Sequence, residues 1–158
     1  MQRSRGGYTL IEIMVVIVIM SLLVGGGLAG YTKFNDRQTI LVAGRQLIAS
    51  MRQAQQYSAS GIKPVGCDTG LRGYRVTAAS GGSTYTVAAI CTTTGTTVVV
   101  KQETLAAGVQ FASNVDVTFL GQVGGAQTTN PTVTLSQGTL TYQLTISSSG
   151  DITEVGIP

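Results

Sequence analysis

The sequence predicts an α+β fold in which one long N-terminal helix, half membrane helix and half amphipathic, packs on a C-terminal antiparallel β-sheet domain. Three observations predict it. An apolar run of helix length comes first, an amphipathic helical pattern follows, and short alternating runs separated by turns fill the remainder. The segments are a leader at 1–7, a membrane helix at 8–30, its amphipathic continuation at 31–61 and a β domain at 62–158.

The apolar run from residue 10 to residue 29 contains one charged residue, Glu12. Twenty helical residues rise about 30 Å, the thickness of the hydrocarbon core of a bilayer, so one membrane crossing is predicted. Arg3 and Arg5 of the leader would hold the start of the chain on the cytoplasmic side. At the far end of the run, Gly25-Gly26-Gly27 predicts either a weakened helix or close packing against another helix.

Glu12 is the unusual residue, because a carboxylate inside a membrane helix needs a partner. If a peptidase cuts after Gly7, the new chain begins with the protonated α-amino group of Tyr8. Glu12 lies four residues further on, about 6 Å along the helix axis. It can pair with this amine or with the amine of a neighbouring copy, which would tie the burial of Glu12 to assembly. The alternative is a passive anchor in which Glu12 reaches back to the membrane surface.

The string Gly7-Tyr8-Thr9-Leu10-Ile11-Glu12 resembles the class III signal of type IV pilins and type II secretion pseudopilins, with Tyr8 in place of the more common Phe. The resemblance implies cleavage between Gly7 and Tyr8 by a prepilin peptidase, N-methylation of Tyr8, and a Glu12 contact in a helical filament. The partners it implies are other pilin or pseudopilin subunits, membrane lipid, and an inner-membrane assembly platform with its ATPase. The expected location is the inner membrane, with the C-terminal domain outside the cytoplasm.

The amphipathic half is predicted from one stripe of apolar and small residues at helical spacing. The stripe consists of Ile40, Leu41, Gly44, Leu47, Ile48, Met51, Ala54 and Tyr57 or Ser58. Arg37, Arg45 and Arg52 lie elsewhere on the helical wheel. The stripe should pack on a sheet, and Gly61 with Pro64 should end the helix.

Eight short runs of β-type sequence are predicted beyond residue 70. They are 72–78, 84–91, 96–101, 109–111, 115–120, 132–136, 139–147 and 151–155. Turns rich in glycine separate them. Tyr142, Leu144 and Ile146 alternate with polar residues, as in a strand with one buried face.

Three segments behind the signal, 47–60, 117–124 and 144–152, are together similar to the GspH/FimT family of minor pseudopilins and pilins. The resemblance implies a minor subunit of a type II secretion pseudopilus or type IV pilus that supports protein secretion. Some members bind DNA and carry a Gly-Arg-x-Arg stretch near the last turn. Here Gly150 is followed by acidic Asp151, and Glu154 is also acidic, so this property is not expected to carry over.

Two cysteines, Cys67 and Cys91, lie in the part predicted to be outside the cytoplasm. One disulfide is expected in such a compartment, and it would stabilise the fold by about 3 kcal/mol. Two unpaired thiols are the alternative. A zinc site is not expected, because two cysteines without any histidine fall short of four ligands.

The composition argues against an enzyme and against a cofactor. There is no histidine, which excludes histidine-dependent acid–base chemistry. The carboxylates Asp68, Asp116, Asp151 and Glu154 are spread over different turns and strands, so no catalytic pair is indicated. The net charge of +3 includes the two leader arginines and therefore says little about a nucleic-acid partner.

The main alternative function is a DNA-binding minor pilin of a type IV pilus used in natural transformation. Lys63, Arg72 and Arg75 could form a small basic patch beside Tyr74. Phosphate binding usually needs a denser cluster, so scattered surface charges are the favoured interpretation. The sequence does not distinguish a secretion system from a pilus.

Overall fold

The computed structural model describes residues 7–67, 70–91, 96–121 and 124–158, without the side chains of residues 24–30. Most of the leader, the side chains of the predicted glycine run, Asp68 and part of the 117–124 segment lie outside this description. The chain divides into two compact units, Met1–Asp36 and Arg37–Pro158. One helix, α1, spans Leu10–Ala59.

Nine strands are found within the described residues. They are β1 (Leu71–Ala78), β2 (Thr84–Cys91), β3 (Thr97–Thr104), β4 (Gln110–Phe111), β5 (Val115–Leu120), β6 (Ala126–Thr128), β7 (Thr132–Gln137), β8 (Leu140–Ile146) and β9 (Ile152–Gly156). The combination of a long N-terminal helical region and an antiparallel β domain confirms the predicted α+β fold class.

The strands form two antiparallel sheets. The first sheet has the order β3-β2-β1-β5-β6, and the second has the order β4-β7-β8-β9. In β2 and β5 buried and partly buried residues alternate strictly, as expected for strands with one face on the core. β1 lies at the centre of the first sheet, between β2 and β5.

The part of α1 within the second unit buries the predicted stripe. Its buried residues are Ile40, Ala43, Gly44, Leu47, Ile48, Ser50, Met51, Ala54 and Ser58. Ala43 and Ser50 are buried although they were not predicted as part of the stripe, whereas Leu41 and Tyr57, which were, are only partly buried. The buried face therefore recurs about once per helical turn, which places the part of the helix from Ile40 to Ser58 against the β domain.

Gly61 ends the helix, as predicted. The residue has a positive φ of 65°, a conformation that glycine adopts without steric cost. The N–H of Ile62 donates to the carbonyl of Tyr57 (3.1 Å), and the N–H of Gly61 donates to that of Ser58 (3.2 Å). These two bonds form a Schellman motif, which satisfies carbonyl groups at the helix C-terminus.

The core of the second unit is built around aromatic residues from both sheets. Tyr74, Tyr85, Phe111, Phe119 and Tyr142 are all almost fully buried. They pack with aliphatic residues of α1 and the strands into one continuous cluster. Such a core holds the helix and both sheets together as one body.

Gly44 of α1 is placed against the ring of Tyr142. A Cβ atom at this position would overlap ring atoms of that tyrosine. The small residue on the helical stripe is therefore required by the close approach of a β8 side chain to the helix backbone.

Candidate functional site

The predicted signal lies at the start of α1, and Thr9 caps the helix there. The Thr9 carbonyl accepts from the N–H of Ile13 (3.3 Å), and its hydroxyl oxygen accepts from the N–H of Glu12 (3.3 Å). Thr9 is thus the N-cap and Glu12 occupies the third helical position, the order of a capping box. Gly7 and Tyr8 precede the helix, so the predicted cleavage point lies in non-helical chain.

Glu12 is exposed in the isolated chain. Its backbone N–H is used by the cap, and within the described residues its carboxylate makes no ion pair. The partner expected for it is the α-amine of Tyr8, which would become available only after cleavage, in this chain or in a neighbouring subunit.

The apolar side chains that follow Glu12 are exposed along the helix. Leu10 is 76% exposed and Leu22 72% exposed, and the large apolar residues between them are 46–71% exposed. Exposed apolar surface of this extent marks an interface with another protein or with lipid. No helix in the described part of the chain is long and apolar enough to cross a membrane.

Cys67 and Cys91 are joined by a disulfide with an S–S distance of 2.05 Å. Both residues are buried. The bond connects the segment after the helix to the last residue of β2, and so ties the helix-to-sheet connection to the first sheet.

A polar network between α1 and the first sheet was not predicted. The Ser50 hydroxyl lies 2.8 Å from that of Tyr85 and donates to the Glu103 carboxylate (3.0 Å). Tyr85 also donates to Glu103, and Lys101 pairs with it at 2.7 Å. The Lys101 and Tyr85 hydrogen bonds lower the pKa of Glu103 to about 2, while burial and then Glu103 raise the pKa of Tyr85. The network joins positions far apart in the sequence.

Two members of the possible basic patch, Lys63, Arg72 and Arg75 beside Tyr74, are engaged in other contacts. Arg75 is paired with Asp116 through two hydrogen bonds, one of them 2.7 Å from Nε to Oδ1. This pair raises the pKa of Arg75 and lowers that of Asp116. Tyr74 is buried, and its hydroxyl donates to the Ile62 carbonyl (2.7 Å). Lys63 and Arg72 are exposed, whereas the ring of Tyr74 is not.

The three described carboxylates of the set named in the sequence, Asp116, Asp151 and Glu154, each have a different partner. Asp116 pairs with Arg75, Asp151 accepts from the Ser149 hydroxyl (2.7 Å), and Glu154 lies 3.9 Å from Arg45. Within the described ranges there is no group of three metal-ligating side chains.

The comparison with known families bears on the N-terminal segment. A family model described as "Prokaryotic N-terminal methylation motif" matches residues 2–28. No curated protein and no solved structure matches the chain. The match supports a type IV pilin-like protein whose N-terminal motif is processed by a prepilin peptidase and which assembles with other pilins.

Proposed function

We propose that this chain is a minor subunit of a type II secretion pseudopilus or a type IV pilus, and that it supports protein secretion. The observation that carries this proposal is the methylation motif at residues 2–28, with Glu12 in the first turn of the helix. The long helix and antiparallel β domain support it, since they match the fold that the GspH/FimT resemblance implies.

Processing would take place at the non-helical start of the chain. The scissile bond between Gly7 and Tyr8 precedes the capped helix, where a peptidase can bind an extended backbone. A Cβ at Gly7 would meet no atom within 4 Å among the described residues, so the described structure imposes no requirement for glycine there. We therefore assign the need for glycine to the peptidase, with methylation of the Tyr8 amine following the cut.

Glu12 would act in assembly. In the membrane its carboxylate is costly without a partner, and the methylated amine of Tyr8 on a neighbouring subunit would supply one. Residues 8–30 would hold the subunit in the inner membrane before the platform and its ATPase move it into the filament. The disulfide supports a β domain outside the cytoplasm, where such bonds persist.

N-terminal mass spectrometry of membrane-extracted protein tests the proposal. We expect the mature chain to start at Tyr8 with a methylated amine. Gly7→Val should abolish the cut, whereas Gly6→Ala, a matched change one residue earlier, should retain it. An intact Met1 start in the wild type, or a cut beyond Ala29, would contradict the proposal.

The DNA-binding alternative receives no support from the geometry. Arg75 is neutralised by Asp116 and the ring of Tyr74 is buried, so neither is available to a nucleic acid.

A further inference from the structure

The exposed side of α1 in the second unit carries one dipeptide three times. Arg37-Gln38, Arg45-Gln46 and Arg52-Gln53 are separated by eight and then seven residues. These intervals are close to two helical turns, so the three pairs lie on the same side of the helix over about 22 Å. All six residues are exposed. We call this surface the Arg–Gln face.

The Arg–Gln face is positively charged and largely uncompensated. No aspartate or glutamate occurs from residue 37 to residue 59. Arg45 reaches Glu154 at 3.9 Å, but its side chain remains 68% exposed, and an open pair of this kind is weak. Arg37 and Arg52 have no ion-pair partner in the described ranges.

A second copy of the chain offers few carboxylates to this face. In the second unit Glu103 is engaged with Lys101 and Tyr85, and Asp116 with Arg75. The described carboxylates that a second copy could offer from this unit are therefore Asp151, which accepts from Ser149, and Glu154, whose pair with Arg45 is open. Two Arg–Gln faces brought together would place arginine against arginine, which is repulsive. Charge complementarity therefore favours a different protein as the occupant.

We propose that the Arg–Gln face is an interaction surface for another protein of the same filament, one that presents carboxylates at two-turn spacing along a helix. Arginine suits this role because its planar guanidinium can bind a carboxylate through two parallel hydrogen bonds. Each neighbouring glutamine adds a donor and an acceptor. The proposal rests on the proposed function, since the filament supplies the neighbouring proteins that could bind this face.

The test uses the full chain in cells that assemble the filament, with a photo-crosslinking amino acid in place of Gln46 at the centre of the face. We expect one main adduct, to a different protein, with the crosslinked peptide containing aspartate or glutamate. Arg37→Glu with Arg52→Glu should lower the adduct yield about tenfold through like-charge repulsion. The control, Lys63→Glu with Arg72→Glu, makes the same charge change beyond the C-terminus of the helix, off the Arg–Gln face, and should leave the yield within about twofold.

A charge swap decides the result. Changing the mapped carboxylates of the partner to lysine should restore the adduct with the double glutamate variant and weaken it with the wild type. An adduct to a second copy or to nucleic acid, equal yields from both double variants, no adduct at all, or failure of the swap would each overturn the proposal. The chain start measured by mass spectrometry is independent of this experiment, so failure of the proposed function can be recognised separately.

Discussion

At the scale of single residues, Gly44 shows how helix packing can reverse an intrinsic preference. On an exposed helix, replacing glycine by alanine stabilises by about 1 kcal/mol. Here Gly44→Ala should instead destabilise the domain by roughly 1–3 kcal/mol, because the new Cβ would overlap the buried ring of Tyr142. Thermal or urea denaturation would measure the difference in the free energy of unfolding.

A double variant provides the control for this prediction. In a Tyr142→Leu background the ring is absent, so Gly44→Ala should be close to neutral or stabilising. The same penalty in both backgrounds would show that the ring contact is not the cause.

Ionisation of Glu103 should make the stability of the fold depend on pH in the acid range. Its pKa is about 2 in the folded protein and 4.5 ordinarily, so the ionised group stabilises the fold fully above about pH 4.5. That contribution is lost as the pH falls toward 2. The melting temperature of the wild type should therefore fall more steeply over this range than that of Glu103→Gln, and the two should converge near pH 2.

Asp116 is unchanged in both proteins, so its own acid dependence cancels in the comparison. Parallel melting curves from pH 7 to pH 2 would contradict the assigned role of Glu103.

At the scale of elements, the strands that could be predicted are those whose bounds are set by the local sequence. The bounds predicted for β2 and β5 match the structure, because alternating residues are flanked by turns. β6 was missed, since Ala126–Thr128 is too short to show a period and exists only by pairing with β5. The division into two sheets was also not predictable, because it depends on pairings such as β1 with β5 that join distant residues.

The disulfide belongs to this scale, because it connects two elements. Non-reducing peptide mapping of protein prepared without reductant should recover Cys67 linked to Cys91. Replacing both by serine should lower the free energy of unfolding by about 3 kcal/mol, the value for a closed loop of this size. Two freely alkylated thiols in the untreated protein would contradict the pairing.

At the scale of the whole molecule, the candidate site was easier to predict than the network that braces the domain. Gly7, Tyr8 and Glu12 lie within one short string, so the sequence alone brings them together. Ser50, Tyr85 and Glu103 come from α1, β2 and β3, and only the completed fold makes them neighbours. Thr9 could have been recognised as a cap from the Thr-x-x-Glu order.

Glu12→Leu should separate membrane insertion from assembly. Insertion should persist, because the helix becomes more apolar. The second unit should stay folded, because its core residues begin at Ile40 in the sequence. Assembly should fall strongly, since leaving one member of a buried pair alone costs about 3–5 kcal/mol. Cysteine crosslinking between anchor helices and the recovery of sheared filaments would measure the loss.

Two variants serve as matched controls. Glu12→Asp keeps the negative charge on a shorter side chain, and Glu12→Gln keeps the shape without the charge. We expect the aspartate variant to retain more assembly than the glutamine variant. Equal filament yields from the wild type and Glu12→Leu would refute the role in assembly.

The central position of β1 has a consequence for the order of folding. β1 can pair with β2 as soon as residues 71–91 are available, because a short turn joins them. Its other edge is filled by β5, which begins at Val115. In a chain synthesised from its N-terminus at roughly 5–20 residues per second, this edge of β1 would stay unpaired for a few seconds. During this interval the nascent hairpin is exposed to wrong pairing, so this is the stage at which a chaperone would have most effect on yield.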